Sequence, residues 1–329
     1  MRRRDFITLL GSAAAVWPLA AGAQSRERMR RVGFLWSAFA ADDPNGQGIG
    51  DAFVQGLQER GWSVGRNLRI DHRRGLGDAE QLRKGAEELI ALAPDVLLAG
   101  GGPALDALQQ ATRTVPIVFS NVTDPVGAGQ VESLARPGGN VTGFMNFEYG
   151  LSAKWLELLK QIAPQVTRVG VFRGIIGAGG PGQFAAIQAV APSLGVEVRP
   201  LGDREVERSV EDFARVPNGG LVITQGVGAR SAIARNLIIT LAARHRLPAV
   251  YYSRNFVTEG GLVGYGPDIL ELYRQSAAYV DRILRGEKPG DLPVQAPTKY
   301  ETILNLKTAK ALGLTVPDLL LVRADEVIE

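Results

Sequence analysis

The sequence predicts an α/β protein made of two doubly wound parallel-sheet lobes. Short apolar runs, which are typical of buried strands, alternate with amphipathic stretches of helix length. This alternation forms two separate series, and each is sufficient for a small parallel sheet whose strands are joined by right-handed crossovers. Further strand and helix patterns follow the second series, so we expect the chain to return and complete each lobe.

The first series begins with RVGFLW at 31–36, an apolar run that predicts a buried strand. Ile49, Phe53 and Leu57 then lie on one face of a predicted helix that begins near Pro44. The remaining predicted elements are a strand NLRIDHR, a helix at 78–92, a strand at 95–101, a helix from Pro103, and strands at 115–122 and 140–144.

The second series repeats this order of elements. After it, GLVGYG predicts another strand, a long amphipathic helix follows, and TKYETILNLKTAKALGL predicts a strand and a final helix closed by Gly313. The predicted elements of the series itself are helices at 152–162, 183–194 and 233–244, strands at 166–172 and 219–224, and strands VEVRPL and LPAVYY.

Composition excludes several function classes. A net charge of +3 without a basic stripe argues against nucleic-acid binding. Cysteine is absent, which excludes disulfides and thiolate chemistry, and neither His72 nor His245 occurs in a metal-binding spacing. We therefore expect no metal, no cofactor and no catalysis.

Residues 1–23 have the layout of an export signal. A basic head is followed by a short apolar run and then by small residues, and the run is too short to span a bilayer. Arg3 and Arg4 resemble a twin-arginine signal, although a general secretory signal has the same overall layout. We expect cleavage near Ala23 and Gln24 and a periplasmic protein without a membrane span.

In open parallel sheets, ligands bind beyond the carboxyl ends of the strands. Ser37 follows the first strand, and GGGPA at 100–104 follows the third. Gly102, Pro103 and Ala104 would begin a helix whose N-terminus suits a carboxylate. The alternative is a tight strand-to-helix turn that needs no ligand.

The stretch VTDPVGAG follows the fourth strand. Asn121 and Asp124 would point into the mouth of the sheet, and Gly127 and Gly129 are expected to begin a helix. Asp124 could pair with a ligand ammonium group, or it could cap that helix. Aromatic residues near these loops could form apolar walls or belong to the core; they are Trp36, Phe39, Phe144, Phe147, Tyr251 and Tyr252.

GAGGPG at 177–182 matches the dinucleotide pattern GxGxxG, with Glu197 or Asp203 at a tolerable distance for a ribose contact. The match is weak because four residues separate the strand from the glycines and because Pro181 lacks an N–H. An exported NAD(P)-dependent oxidoreductase is therefore the alternative function.

Taken together, TVPIVFSNVTDPVGAG, SLARPGGNVTGF and LNLKTAKALGL resemble the periplasmic substrate-binding proteins of ABC transporters. More narrowly, they resemble the subfamily related to tryptophan and aromatic amino-acid binders. The resemblance implies a type I binding-protein fold with a hinge of three crossings, near residues 146, 258 and 291. The lobes would then comprise 31–146 plus 259–290 and 147–258 plus 291–329.

The resemblance also implies a cleft that closes on a small organic ligand, which we expect to be like an amino acid or an aromatic acid. It further implies a monomer that delivers this ligand to a membrane permease with its ATPase. A ligand-sensing partner of a membrane receptor would share the fold. RGIIGAGGPG departs from the family pattern, so the ligand could differ. The implied ligand contacts are Ser37, Gly102, Pro103, Ala104, Asn121, Asp124 and Asn146 from the first lobe and the hinge, and Arg173, Gln225 and Tyr252 from the second.

Overall fold

The structure is a computed structural model that describes residues 29–173, 179–202, 205–225 and 232–329. The predicted export signal at 1–23 lies outside the described residues, as do Gly177 and Asp203 of the dinucleotide hypothesis. Within the described ranges, no helix is long and apolar enough to cross a membrane.

Lobe 1 is built on a parallel sheet that has five strands among the described residues, in the order β2-β1-β3-β4-β5. β1 and β3 are buried almost throughout because helices cover both faces of the sheet. The elements are β1 (Arg30–Trp36), α1 (Pro44–Gln58), β2 (Leu68–Arg74), α2 (Ala79–Ala91), β3 (Val96–Gly100), α3 (Gly102–Ala111), β4 (Ile117–Thr123) and β5 (Val141–Phe147).

Lobe 2 is built on a sheet with seven described strands in the order β12-β11-β10-β9-β8-β6-β7. All its pairings are parallel except that of β10 with β11, so this sheet is mixed rather than wholly parallel. The elements are α4 (Ala153–Ile162), β6 (Arg168–Phe172), α5 (Gly179–Val190), β7 (Glu197–Leu201), α6 (Val206–Ala214), β8 (Gly219–Ile223), α7 (Ala232–Arg244), β9 (Ala249–Tyr251), α8 (Arg254–Thr258), β10 (Val263–Pro267), β11 (Tyr300–Asn305), α10 (Leu306–Ala311), α11 (Asp318–Arg323) and β12 (Glu326–Ile328).

The returning segments complete both lobes, but the boundaries differ from the predicted division. β10 pairs with β9 and β11, so residues 263–267 belong to lobe 2 and not to lobe 1. The next helix, α9 (Ile269–Leu284), packs on lobe 1, against α1. Leu292 and Val294 are also buried in the lobe 1 core. The second and third crossings therefore follow Pro267 and Gln295, and 259–290 is not one unit.

The three crossings share one aromatic cluster, which we call the hinge cluster. Phe147 ends the last strand of lobe 1, and its ring stacks on Trp155 with a centroid distance of 5.0 Å. Tyr265 precedes the second crossing and Tyr300 follows the third, and their rings lie 6.2 and 5.2 Å from Phe147. Trp155 Nε1 also donates to the carbonyl oxygen of Tyr265 at 2.8 Å. Contacts within the hinge cluster therefore hold the three crossings next to one another.

Two local predictions differ from the structure. Residues 124–133 form successive turns instead of the helix expected from Gly127 and Gly129. Gly129 has a φ of +71°, which is outside the helical region. At the C-terminus, α11 and β12 follow the helix that was expected to be the last, because Val327 pairs with Leu304 of β11.

Candidate functional site: the cleft between the lobes

The carboxyl ends of strands from both lobes meet at a cleft. Gln225 follows β8 of lobe 2, and its side chain reaches Asn121 at the end of β4 in lobe 1. Gln225 Nε2 donates to Asn121 Oδ1 at 3.1 Å and to the Asn121 carbonyl oxygen at 3.2 Å. The Gln225 N–H donates to Gln183 Oε1 at 3.1 Å, and this hydrogen bond fixes the backbone of Gln225 within lobe 2. The structure therefore brings together two predicted site residues from opposite lobes.

Irregular backbone at the end of β4 directs these groups into the cleft. The pairing of β4 with β5 shifts register around Ser120 and Val122, and Asn121 has a φ of +62°. Asparagine adopts this left-handed conformation more readily than most residues. Asn146 Nδ2 then donates to Asn121 Oδ1 at 2.6 Å.

Thr123 completes this polar group and was missed at the sequence level. Its hydroxyl group faces two acceptors, Asn146 Oδ1 at 3.1 Å and Gln225 Oε1, which share its single proton. Thr123 and Asn146 are both buried, so the satisfied hydrogen bonds offset the cost of removing their polar atoms from water. Asn121, Thr123, Asn146 and Gln225 form one network across the cleft.

The loop after β3 has the predicted strand-to-helix geometry. Gly101 has a φ of +99°, which glycine adopts without strain, and α3 begins at Gly102 with Pro103 in its first turn. Ser37 Oγ accepts a hydrogen bond from the Ala104 N–H at 2.9 Å. Ser37 and the start of α3 are therefore in direct contact. One of the N–H groups at the N-terminus of α3 is already hydrogen bonded to Ser37.

A cavity of about 240 Å³ lies between the lobes. The start of α1 and the loop before it, the end of β4, α7, the segment after β9 and the second crossing all contribute to it. Its walls combine two aromatic side chains with amide and charged groups; six of the lining residues are Phe39, Asn45, Asn121, Arg235, Tyr252 and Asp268. Of the predicted site residues, Asn121 and Tyr252 line this cavity.

The aromatic residues divide between the two expected roles. Phe39 and Tyr252 line the cavity, and burial of its phenol group raises the pKa of Tyr252 to about 12, so the group is neutral at physiological pH. The other four are packed in the cores and have at most 4% exposure; they are Trp36, Phe144, Phe147 and Tyr251.

Arg235 is a functional candidate that sequence reasoning missed. It lies on α7 in lobe 2, lines the cavity, and is only 2% exposed. Its guanidinium pairs with Glu259 of its own lobe at 3.2 Å and with Asp43 of lobe 1 at 3.3 Å. Burial lowers its pKa, but the hydrogen bonds and charges of these carboxylates outweigh burial and raise the pKa above its usual value. An arginine within the apolar stretch AIARNLIITLAAR was the available signal.

Two predicted contacts make local interactions in the structure. Asp124 has a φ of +41°, and its Oδ1 accepts the Gly127 N–H at 2.8 Å, as in a capped turn. Arg173 is exposed and its guanidinium lies 5.7 Å from the ring centroid of Phe184. Neither residue is among those that line the interlobe cavity.

The described part of the dinucleotide pattern has a packing role. A Cβ atom on Gly182 would lie 2.5 Å from the Tyr149 ring, so this glycine allows α5 to approach the first crossing. Across the described ranges, no group of histidine, aspartate and glutamate residues is placed to hold a metal ion.

Two α/β lobes that meet at a cleft and are joined by three crossings define the class of periplasmic binding proteins of type I fold. The chain belongs to the family of ABC transporter substrate-binding proteins, whose family model matches residues 41–328. Its role is therefore to bind a solute, and the oxidoreductase alternative receives no support.

Similar proteins agree with this assignment. A tyrosine-binding protein of Clostridioides difficile (strain R20291) is 27% identical over 286 residues, which cover 83% of this chain and 80% of that protein. A conserved domain protein from Vibrio cholerae is 28% identical, with a TM-score of 0.82 over 91% of this chain and 100% of its own.

Two further structures differ in their bound state. A domain from Streptococcus pneumonia in complex with L-Trp is 24% identical, with a TM-score of 0.82 over 91% of this chain and 99% of its own. A ligand-free, open substrate-binding protein from Clostridium difficile is 25% identical with the same coverages, but its TM-score is 0.64.

Proposed function

We propose that the protein captures an aromatic L-amino acid between its lobes and presents it to an ABC permease that works with an ATPase. The observation that carries this proposal is the interlobe cavity, in which Phe39 and Tyr252 provide apolar surface and Asn121 provides hydrogen-bonding groups. Ligand sites commonly combine apolar walls with a few convergent polar groups. The cavity volume of about 240 Å³ suits a ligand of amino-acid size.

The relatives support this ligand class. One is named a tyrosine-binding protein, and another structure contains L-Trp. The cross-lobe contacts of Gln225 and Arg235 support a mechanism in which ligand binding accompanies lobe closure. A ligand that shifts such an equilibrium from mostly open to mostly closed must bind the closed form about 5.5 kcal/mol more tightly. Contacts from both lobes are the means to reach that difference.

The predicted contacts have complementary chemistry at the first lobe. Ser37 Oγ accepts the Ala104 N–H, which leaves the hydroxyl proton free to donate to a ligand carboxylate beside Gly102. Asp124 lies outside the lining of the cavity, and in this proposal it receives the ligand ammonium group at the edge of the cavity next to Asn121. Arg173, Gln225 and the polar network around Asn146 would complete the site from the second lobe and the hinge. Pro103 supports the α3 N-terminus without competing for the ligand.

Within the same proposal, residues 1–23 direct export and the protein acts in the periplasm as a monomer without catalysing a reaction. The family implies a permease partner. Arg3 and Arg4 favour export by the twin-arginine route.

A thermal-shift and calorimetric screen with the natural L-amino acids tests the ligand class. We expect L-tyrosine or L-tryptophan to stabilise the protein most, because a ligand at a hundred times its Kd adds about 2.7 kcal/mol to the free energy of unfolding. NAD⁺ and NADP⁺ serve as controls for the alternative function. Absence of any response to both aromatic amino acids would remove the proposed ligand class.

The Asp124→Asn variant separates the two roles of this residue. Asparagine retains an oxygen that can accept the Gly127 N–H, so we expect the melting temperature to be unchanged. Loss of the negative charge should weaken the binding of an amino acid about 10- to 100-fold, because hydrogen bonds to charged groups contribute about 1.5–3 kcal/mol. Calorimetry with N-acetyl-L-tyrosine is the matched control, since that ligand carries no ammonium group. Wild-type affinity in the variant would leave Asp124 with the capping role alone.

A further inference from the structure

The charged pair of Asp43 and Arg235 joins the two lobes at a fully buried position. Asp43 precedes α1 in lobe 1, and Arg235 lies on α7 in lobe 2. The exposed fractions of the two side chains are 2% and 3%. A buried pair of opposite charges between separate lobes needs an explanation, because removing each charge from water is costly unless both are fully satisfied.

Each side-chain oxygen of Asp43 and each guanidinium nitrogen of Arg235 has a hydrogen-bond partner. Asp43 Oδ1 accepts the N–H groups of Asn45 and Gly46 at 2.9 and 3.3 Å, and Oδ2 receives the Arg235 Nη1–H at 3.3 Å. The positive end of the α1 dipole also favours the Asp43 carboxylate. These hydrogen bonds offset part of the cost of removing the two charges from water.

The third charge explains how the pair depends on lobe closure. Glu259 belongs to lobe 2, like Arg235, and it accepts hydrogen bonds from Arg235 Nε and Nη2 at 3.3 and 3.2 Å. Opening the lobes would leave this contact intact and would break only the contact of Nη1 with Asp43. Glu259 thus orients the guanidinium within lobe 2, and Asp43 is the partner gained on closure.

We propose that Asp43 and Arg235 are affinity-determining residues that stabilise the closed arrangement of the lobes from beside the ligand cavity. Because the pair forms only when the lobes meet, it adds to the ligand's own contacts in favour of the closed form. It sets the fraction of closed molecules before the ligand arrives and slows ligand release afterwards. The inference deepens the proposed function, since it concerns the same cleft.

The test uses Asp43→Asn and a matched control. Asparagine is as good an N-terminal cap as aspartate, so the substitution removes the charge and keeps the cap of α1. Asp78→Asn makes the same change at the N-terminus of α2, where Asp78 Oδ1 accepts only the local N–H of Gln81, at 2.8 Å, among the hydrogen bonds of the described residues. Arg235→Gln is the reciprocal variant.

Lobe closure is measured by single-molecule energy transfer. The sequence has no cysteine, so Lys84→Cys on α2 and Glu211→Cys on α6 place one dye on each lobe. Without ligand, we expect Asp43→Asn and Arg235→Gln each to reduce the closed fraction at least threefold, the double variant to be no worse than either, and Asp78→Asn to match the wild type. A wild-type protein with no measurable closed fraction, or unchanged closure in Asp43→Asn, would overturn the proposal.

The second readout is the binding of L-tyrosine and L-tryptophan. We expect Asp43→Asn to weaken the affinity at least threefold through faster dissociation, with little change in the association rate. If neither amino acid binds the wild type, the proposed ligand class fails, while the energy-transfer result still decides the role of the pair. Thermal unfolding of each variant verifies that it is folded.

Discussion

Replacing Trp155 with alanine is expected to lower the free energy of unfolding by about 3–5 kcal/mol, the usual cost of truncating a buried tryptophan. Trp155 is fully buried, stacks on Phe147 in the hinge cluster, and donates a hydrogen bond to the carbonyl of Tyr265. The substitution removes a large aromatic surface and leaves that carbonyl without this donor. Urea denaturation monitored by circular dichroism measures the effect.

Trp155→Phe is the matched control for this prediction. Phenylalanine retains a ring that can stack on Phe147 but has no indole N–H, so we expect a loss of about 1–3 kcal/mol from the missing hydrogen bond and the smaller ring. If Trp155→Ala costs no more than Trp155→Phe, the stacking does not stabilise the hinge. The comparison therefore separates ring packing from hydrogen bonding.

Gly266→Ala is expected to reduce both stability and ligand affinity. A Cβ atom on Gly266 would lie 2.1 Å from the backbone carbonyl oxygen of Tyr252, so β10 and the loop after β9 must move apart. Overpacking of this kind costs about 1–3 kcal/mol. Because Tyr252 lines the cavity and Gly266 adjoins the second crossing, the displacement should also weaken the binding of L-tyrosine several-fold.

Gly150→Ala provides the control in the first crossing. Among the described atoms beyond its immediate chain neighbours, nothing lies within 4 Å of a Cβ at Gly150. The control should bind L-tyrosine as the wild type does and should unfold at nearly the same urea concentration. Wild-type affinity and stability in Gly266→Ala would show that the strand adjusts freely and that the close approach has no role in the site.

The sequence contained enough information for most of the fold because buried strands and amphipathic helices have different periodicities. β3 and β8, for example, are buried at every residue, as their apolar runs predict. The assignment of β10 to lobe 1 was wrong because strand pairing depends on which edge the returning chain reaches. The residues of GLVGYG predict a strand, but they do not indicate which of the two sheets the strand joins.

The site was predicted in part for the same reason. The end of the fourth strand identified Asn121 and the family resemblance implied Gln225, and the structure joins them by hydrogen bonds. Whether Asp124, Arg173 and Ser37 contact the ligand stays a prediction. Thr123 and Arg235 were missed because their importance lies in partners from the opposite lobe, which are 102 and 192 residues away along the chain.

By itself, the sequence determined the α/β class, the division into two lobes and the loops that gather at their mouths, because these follow from local periodicity and turn chemistry. Only the tertiary structure decided where the hinge crosses, which aromatic residues face the cavity and which charges meet across it. The physical reason is that these features depend on contacts between segments far apart in the chain, whose pairing is selected by the packing of the whole molecule.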